Sequence, residues 1–232
     1  MRFRDRRDAG RALAGALRHL TANDPVVLGL ARGGVPVAVE VAAELGTAVD
    51  VLVVRKVGAL HQPELAVGAV AEDGVTIVDS RLASRVGMDD AAVEAVAARE
   101  RAELERRVRR YRGDRDARNV HDRTVIVVDD GIATGATARA AVEVLRARGA
   151  AHVVVAAPVA SRPAAARLRE VADEVVCLST PRGFLAVGEA YDDFTATSDA
   201  EVVAALAEAD RGGGTEAGEG TDDDPTTPPP GR

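Results

Sequence analysis

Short apolar runs alternate with helical patterns along most of this chain. The runs lie at residues 25–30, 49–54, 124–129, 152–157 and 174–178, and the helical patterns at residues 9–20, 35–45, 136–148 and 163–172. Runs that are apolar at nearly every position are typical of parallel strands that are buried on both faces. Since strands that alternate with helices also indicate parallel pairing, the sequence predicts an α/β fold, a mostly parallel twisted sheet flanked by helices.

The composition fits one such domain. The chain has 232 residues, which is enough to bury a full core without disulfides or metals. Aromatic residues make up 2% of the chain although 47% is hydrophobic, so the core must consist mainly of Ala, Val and Leu. We predict one domain over residues 1–209 and a disordered acidic tail of Gly, Pro and Thr over residues 210–232, because this segment has almost no apolar content.

Two segments interrupt the regular alternation. Residues 65–71 and 75–78 predict a hairpin across a Glu-Asp-Gly turn. Residues 80–118 are predicted to form a helical insertion, whose main element is a long charged helix from Asp89 to Tyr111. Its arginines are interleaved with glutamates, so we expect a solvated face with ion pairs and assign it no chemical role.

Charge and hydropathy argue against several classes of protein. The net charge of −7 argues against nucleic acid as a partner, because nucleic-acid-binding surfaces are usually clusters of basic residues. The N-terminus has no apolar signal-peptide core, and no stretch approaches about 18 uncharged apolar residues, so neither a secretory signal nor a membrane span is expected. The single cysteine, Cys177, lies in an apolar run and is expected to be buried. We therefore expect a cytoplasmic protein.

The strongest chemical signal is the segment Val-Ile-Val-Val-Asp-Asp-Gly-Ile-Ala-Thr-Gly-Ala-Thr at residues 125–137. A loop that enters a helix presents backbone N–H groups and the positive end of the helix dipole, which favours an anion. Asp129 and Asp130 would repel a bare phosphate, but they could accept hydrogen bonds from sugar hydroxyls. The loop has no lysine, so it is not a Walker A loop. The simpler alternative is that the acids only cap the helix and the glycines only form a turn.

The full arrangement of apolar strand, two acids and Thr-Gly-x-Thr turn resembles the phosphoribosyl pyrophosphate signature of type I phosphoribosyltransferases. The resemblance covers roughly residues 20–200 and implies that Asp129 and Asp130, the acid pair, bind the ribose 2′ and 3′ hydroxyls. It implies that a phosphate turn at residues 133–137 cradles the 5′-phosphate. The residues concerned are Gly131, which lets the backbone approach, and Ala133, Thr134, Gly135, Ala136 and Thr137. Purine salvage enzymes carry an acid where this chain has Ala133, so the resemblance does not support hypoxanthine or guanine as the acceptor.

Other loops match the family in the same order along the chain. The glycine loop at residues 31–34 corresponds to the loop that contacts pyrophosphate, and a cis peptide is expected at Ala31-Arg32 or Arg32-Gly33. Lys56 is the only lysine among 30 basic residues, which suggests that a compact ammonium is needed there. The resemblance makes Arg32 and Lys56 catalytic cations and assigns substrate binding to Gly33, Gly34 and Arg55.

The loop from Gly58 to Glu64 corresponds to the mobile catalytic loop of the family. It contains His61, for which simple exposure to solvent is the more straightforward interpretation. Because ligands of parallel sheets bind beyond the carboxyl ends of the strands, we expect the loops at residues 31–34, 55–64 and 130–137 to share one rim.

Residues 180–199 correspond to the hood that covers the acceptor in this family. Three of the five aromatic residues of the chain lie there, Phe184, Tyr191 and Phe194. The resemblance implies that one of these rings stacks on the acceptor. The alternative is that the rings only attach an irregular loop to the core.

The resemblance implies transfer of the phosphoribosyl group to a small-molecule nitrogen acceptor, with Mg²⁺ as cofactor held mainly by substrate and water. The sequence does not name the acceptor. A non-catalytic regulatory module that binds phosphoribosyl pyrophosphate or a nucleotide stays open as an alternative. The oligomeric state is also open, with a homodimer as one alternative.

Overall fold

The chain forms eight strands and seven α-helices over residues 1–212, the part that the computed structural model describes. The strands are β1 (Val26–Leu30), β2 (Val49–Leu52), β3 (Val54–Ala59), β4 (Gln62–Ala71), β5 (Thr76–Val78), β6 (Thr124–Val128), β7 (His152–Val159) and β8 (Glu174–Ser179). The helices are α1 (Arg6–Leu17), α2 (Gly34–Leu45), α3 (Ser80–Arg85), α4 (Asp90–Arg112), α5 (Ala136–Ala147), α6 (Arg162–Leu168) and α7 (Asp199–Gly212).

Five of the strands form the central sheet, in the order β2-β1-β6-β7-β8. All four neighbouring pairs run parallel, as predicted. Side chains of β6 alternate between two cores, because Ile126 and Val128 pack with α1, α2 and α7 whereas Val125 and Val127 pack with α5 and α6. The sheet is therefore covered by helices on both faces, which explains why its strands are apolar at most positions.

The predicted loop at residues 58–64 is instead mostly part of a second, antiparallel sheet. β3 and β4 pair along their lengths, and β5 pairs with β4 as expected. Val57 and Ala59 are buried while Lys56 is exposed, so the segment has the alternation of a strand with one covered face. Polar residues near the turn interrupt this pattern in the sequence, which therefore predicts a longer loop. The turn itself consists of residues 60–61.

α7 is absent from the sequence-based prediction, which ends the domain at residue 209. Its Val202, Ala205 and Leu206 are buried in the same core as α1 and α2, at helical spacing but over little more than one turn. Residues 210–212 belong to this helix, which corrects the predicted start of the tail. The remainder of the predicted tail, residues 213–232, lies outside the described residues.

The long charged helix of the predicted insertion is confirmed as α4, and a buried ion-pair network fixes its end. Arg112 lies 3.1 Å from a carboxylate oxygen of Asp50 and 2.5 Å from one of Glu72, and all three residues are buried. Arg112 also donates a hydrogen bond of 3.0 Å to the carbonyl oxygen of Val51. The network attaches α4 to β2, the edge strand of the central sheet.

Within residues 1–212, no helix combines the length and the apolar character needed to cross a membrane.

Cys177 is half-buried in β8, where burial raises the pKa of its thiol to about 11. The thiol is therefore protonated at neutral pH and is a poor nucleophile.

Candidate active site

The acid pair lies at the carboxyl end of the central strand β6. The N–H of Asp129 donates to the carbonyl oxygen of Ala156 in β7 at 3.1 Å, and Oδ1 of Asp129 accepts from the N–H of Asp130 at 2.9 Å. The Asp130 side chain is 14% exposed. The two acids are thus fixed by the sheet at the rim where parallel α/β proteins bind their ligands.

The two carboxyl groups are harder to ionise than ordinary ones. Burial raises the pKa of Asp129, and the neighbouring charge of Asp130 raises it further. Burial also raises the pKa of Asp130, although the hydrogen bond and the charge of Arg6 oppose this shift. A carboxyl group offers hydrogen-bond acceptors when it is ionised and one donor when it is protonated, and both suit the hydroxyls of a sugar.

The glycine loop after β1 passes directly against the acid pair. A Cβ placed on Gly33 would lie 2.0 Å from Oδ2 of Asp130, and one placed on Gly34 would lie 2.4 Å from the carbonyl oxygen of Val128. Any other residue at either position would have to displace its neighbour. The loops at residues 31–34 and 130–137 therefore lie against each other, as predicted, because Gly33 and Gly34 have no side chains that would keep them apart.

The phosphate turn is largely exposed and leads into α5. Gly135 immediately precedes the helix with a φ of +81°, a conformation that glycine adopts without strain. The carbonyl groups of Ala133 and Thr134 accept hydrogen bonds from Ser161 at 2.6 Å and Arg167 at 3.0 Å. The carbonyl side of the turn is thus held by Ser161 and α6, and the N–H of Ala136 donates to Oγ1 of Thr134 at 3.4 Å. The turn leads into the N-terminus of α5, and a helix N-terminus favours an anion.

A cavity of 470 Å³, here called the basic cavity, adjoins the phosphate turn. It brings together Arg55 and Lys56 of β3 with Thr137 of α5, three residues that the sequence analysis places in the substrate site. α4 adds Arg99 and Glu100, and Glu100 pairs with Arg55 at 2.5 Å. α4, for which the sequence predicts no chemical role, therefore lines this cavity. No sequence pattern distinguishes these two residues from the other Arg and Glu residues of α4.

Arg32 is not among the residues that line the basic cavity. The Ala31-Arg32 peptide is cis, as expected. The guanidinium of Arg32 lies 3.6 Å from Asp199 at the start of α7, and Asp199 also accepts a hydrogen bond of 2.7 Å from Tyr111. The two predicted catalytic cations, Arg32 and Lys56, thus have different surroundings in this structure.

The aromatic residues of the hood pack mainly on one another. Tyr191 is 3% exposed, and its ring centroid lies 5.0 Å from that of Phe194 and 5.8 Å from that of Phe3. Its hydroxyl donates to the carbonyl oxygen of Asp130 at 2.5 Å. Phe184 is partly buried in the same cluster. Tyr191 therefore attaches the hood to the acid pair, which corresponds to the packing alternative rather than to a ring that is open to an acceptor.

The N-terminal segment holds the hood in place and adds a residue that the sequence analysis missed. Phe3 forms two backbone hydrogen bonds of 2.8 Å with residues 190–192. Nε of Arg6 donates to Oδ2 of Asp130 at 2.8 Å. Arg6 is one of five arginines among the first 11 residues, and only the fold determines which of them reaches the acid pair.

Comparison with known proteins gives consistent matches over most of the chain. The family model described as "Phosphoribosyl transferase domain" matches residues 6–192. Two Mycobacterium tuberculosis proteins, "Putative phosphoribosyl transferase MT0597" of strain CDC 1551 / Oshkosh and "Putative phosphoribosyl transferase Rv0571c" of strain H37Rv, are each 53% identical over 209 residues. These matches cover 90% of this chain and 47% of each relative, so the chain spans about half the length of these relatives.

A solved structure agrees with the fold. The crystal structure of TT1426 from Thermus thermophilus is similar with a TM-score of 0.83 and 50% identity, and the similarity covers 90% of this chain and 99% of that one. The residues matched by the family model include the glycine loop, the acid pair, the phosphate turn and all residues of the basic cavity. The chain therefore belongs to the phosphoribosyl transferase domain family.

Proposed function

We propose that this chain is a phosphoribosyltransferase, which transfers the 5-phosphoribosyl group of phosphoribosyl pyrophosphate to a nitrogen acceptor and releases pyrophosphate. The observation that carries the proposal is the position of the acid pair between the glycine loop and the phosphate turn. Gly33 approaches Asp130 so closely that a Cβ would lie 2.0 Å from it, and the turn at residues 133–137 follows two residues after the acids. A sugar with a phosphate at each end fits this order of contacts.

Each part of the substrate is assigned to one element. Asp129 and Asp130 accept hydrogen bonds from the ribose 2′ and 3′ hydroxyls, and the first turn of α5 binds the 5′-phosphate through its N–H groups. The pyrophosphate is bound by the backbone of the glycine loop and by cations of β3. Lys56 lines the basic cavity with Thr137, which supports its place near the phosphates. Arg32 would have to turn from Asp199 to join it.

In the proposed reaction the bond between ribose C1′ and the pyrophosphate oxygen breaks, and a bond between C1′ and the acceptor nitrogen forms. The electron pair of the broken bond leaves with pyrophosphate, and the acceptor nitrogen gives up its proton to the solvent. Negative charge therefore grows on pyrophosphate in the transition state. Cations that are already in place, Lys56 first among them, stabilise that state more than the ground state.

Mg²⁺ is the cofactor that we propose, held mainly by oxygens of the substrate and by water. Among the described residues, no group of three or more His, Cys, Asp or Glu side chains is arranged to hold a metal ion. Mg²⁺ often binds through substrate phosphates and keeps several waters, so the proposal does not require such a group. When bound, the ion would neutralise part of the charge on pyrophosphate.

A second candidate is a regulatory module that binds phosphoribosyl pyrophosphate without transferring its sugar. The observation that favours it is the burial of Tyr191, which leaves that ring at 3% exposure and closed to an acceptor. A hood that keeps this position during binding would hold the ribose phosphate but would not offer the Tyr191 ring as a stacking surface.

Release of pyrophosphate separates the two candidates. Wild-type protein is incubated with phosphoribosyl pyrophosphate and Mg²⁺, and pyrophosphate is measured in the presence of single nucleobases and small amines. Acceptor-dependent release supports the transferase, whereas saturable binding without release for any acceptor supports the regulatory module. Absence of binding contradicts both.

A further inference from the structure

Arg6 is held against the acid pair by three contacts of its guanidinium group. Its side chain is 11% exposed, and its Nε lies 2.8 Å from Oδ2 of Asp130. Its Nη1 donates to the carbonyl oxygen of Thr195 at 2.7 Å, and its guanidinium carbon lies 4.1 Å from the centroid of the Phe194 ring. Three elements therefore meet at this guanidinium: α1, the hood and the carboxyl end of β6.

We propose that Arg6 is a positioning residue, which holds Asp130 as an oriented, ionised acceptor for a ribose hydroxyl. This inference rests on the proposed function. A carboxylate that is buried without a partner takes up a proton and then turns one of its oxygens into a donor. An arginine at 2.8 Å opposes this, because a guanidinium stays charged at any pH at which proteins are folded.

The contact leaves Asp130 able to bind a ligand. Arg6 engages Oδ2 through one N–H, whereas a carboxylate has about four lone-pair sites. The glycine loop also approaches this oxygen, so closely that a Cβ on Gly33 would lie 2.0 Å from it. The carboxylate thus contacts both a cation and the glycine loop, and its orientation is fixed before any ligand arrives.

Among the described residues near the acid pair, Arg6 is the cation that interacts with the Asp130 carboxylate. The groups facing Asp130 are Asp129 on its own strand end, the Tyr191 hydroxyl from the hood and Arg6 from α1. Asp193 and Glu201 also interact with the charge of Arg6, but both are exposed. Exposed carboxylates are screened by water, so the buried contact with Asp130 dominates the interaction.

The first test needs no substrate and therefore does not depend on the proposed function. The carboxyl carbons of aspartate are labelled with carbon-13, and their NMR shifts are followed against pH in the ligand-free wild type, Arg6→Gln and Arg6→Lys. Loss of the cation should move the titration of Asp130 to higher pH in Arg6→Gln, while Arg6→Lys should stay close to the wild type. Arg7→Gln is the control, because Arg7 pairs with Glu40 and Glu208 on the surface. A titration of Asp130 that is the same in wild type and Arg6→Gln overturns the proposal.

The second test measures the affinity for phosphoribosyl pyrophosphate with Mg²⁺ against pH by calorimetry. We expect Arg6→Gln to bind roughly 10- to 150-fold more weakly at neutral pH, the range for one hydrogen bond to a charged group. Its affinity should also be lost at a higher pH than that of the wild type as the solution is acidified. A loss that is equal at every pH means that Arg6 only packs the hood, and this overturns the positioning role.

If Arg6→Gln does not fold, the carboxyl titration of Arg6→Lys decides. A large shift of the Asp130 titration to higher pH in Arg6→Lys then contradicts the positioning role. If the wild type does not bind the substrate at all, the proposed function fails while the carboxyl titration still decides the role of Arg6.

Discussion

Gly33 has the backbone conformation of an ordinary helical residue, with φ of −63° and ψ of −29°. Glycine is therefore needed here because there is no room for a side chain, and not because the backbone is strained. The space is taken by Oδ2 of Asp130, 2.0 Å from the position of a Cβ. At the scale of single residues, the acid pair thus depends on a neighbour that has no functional group of its own.

Gly33→Ala should leave the fold intact and weaken substrate binding. The backbone angles suit alanine, but the added methyl group must push the Asp130 carboxylate out of place. We expect the affinity for phosphoribosyl pyrophosphate to fall by about tenfold or more, since a hydrogen bond to a charged group contributes about 1.5 to 3 kcal/mol. Calorimetry gives the affinity, and a thermal melt reports the fold.

Gly15→Ala is the matched control, because a Cβ at that position of α1 meets no atom within 4 Å. It should raise the free energy of unfolding by about 0.5 to 1 kcal/mol and leave the affinity unchanged. Equal affinities for Gly33→Ala and Gly15→Ala would show that the position of Asp130 does not matter for binding.

Lys56→Ala should slow turnover far more than it lowers stability. Lys56 is exposed and lines the basic cavity, so its removal costs little packing. A loss on the order of 10²-fold in kcat is expected, as for removal of one preorganised group that stabilises developing charge. Lys56→Arg should restore only part of the rate, because a planar guanidinium does not replace a compact ammonium. Steady-state assays with the identified acceptor provide the rates, and a wild-type rate in Lys56→Ala would remove this residue from the pyrophosphate site.

At the scale of elements, the sequence predicts best those strands and helices that have a long, regular pattern of apolar residues. The strands of the central sheet are apolar at most positions because helices cover both faces, and long apolar runs are easily recognised in the sequence. β3 is six residues long and buries only Val57 and Ala59, and α7 buries Val202, Ala205 and Leu206 over little more than one turn. The positions of Arg6 and Arg99 leave no local signal, because they depend on how α1 and α4 pack against elements distant in the sequence.

Arg112→Met tests the attachment of α4 to the central sheet. The substitution leaves Asp50 and Glu72 buried without their shared cation, so we expect the free energy of unfolding to fall by about 3 to 5 kcal/mol. Arg109→Met is the control, since Arg109 lies on the same turn in an exposed pair with Glu105 and should change stability by about 1 kcal/mol or less. Urea denaturation measures both. A similar small change in the two variants would mean that the network does not hold the helix.

At the scale of the whole molecule, the acid pair should lower stability at the pH at which it binds ligand. The folded-state pKa of Asp129 is raised above its unfolded value, so the folded state binds the proton more tightly. The free energy of unfolding therefore falls as the pH rises from the unfolded pKa through the folded one. Asp129→Asn removes this charge, and the variant should gain stability relative to the wild type between about pH 4, the ordinary range of an aspartate, and about pH 8, to which burial raises the pKa of Asp129.

Chemical denaturation of Asp129→Asn and wild type across this range measures the effect. The exposed Asp114→Asn serves as the control and should follow the wild type at every pH. If the stability of Asp129→Asn relative to wild type does not change with pH, then burial of Asp129 does not oppose its charge in the folded protein.

In the proposed function, the acid pair binds the ribose of phosphoribosyl pyrophosphate. Calorimetric titration of this compound with Mg²⁺ into wild type, Asp129→Asn and Asp130→Asn measures the contribution of each acid to binding. We expect saturable binding to the wild type and a loss of about tenfold or more in each variant, because each substitution removes a hydrogen bond to a charged group that contributes about 1.5 to 3 kcal/mol. No binding to the wild type, or unchanged affinity in both folded variants, would contradict it.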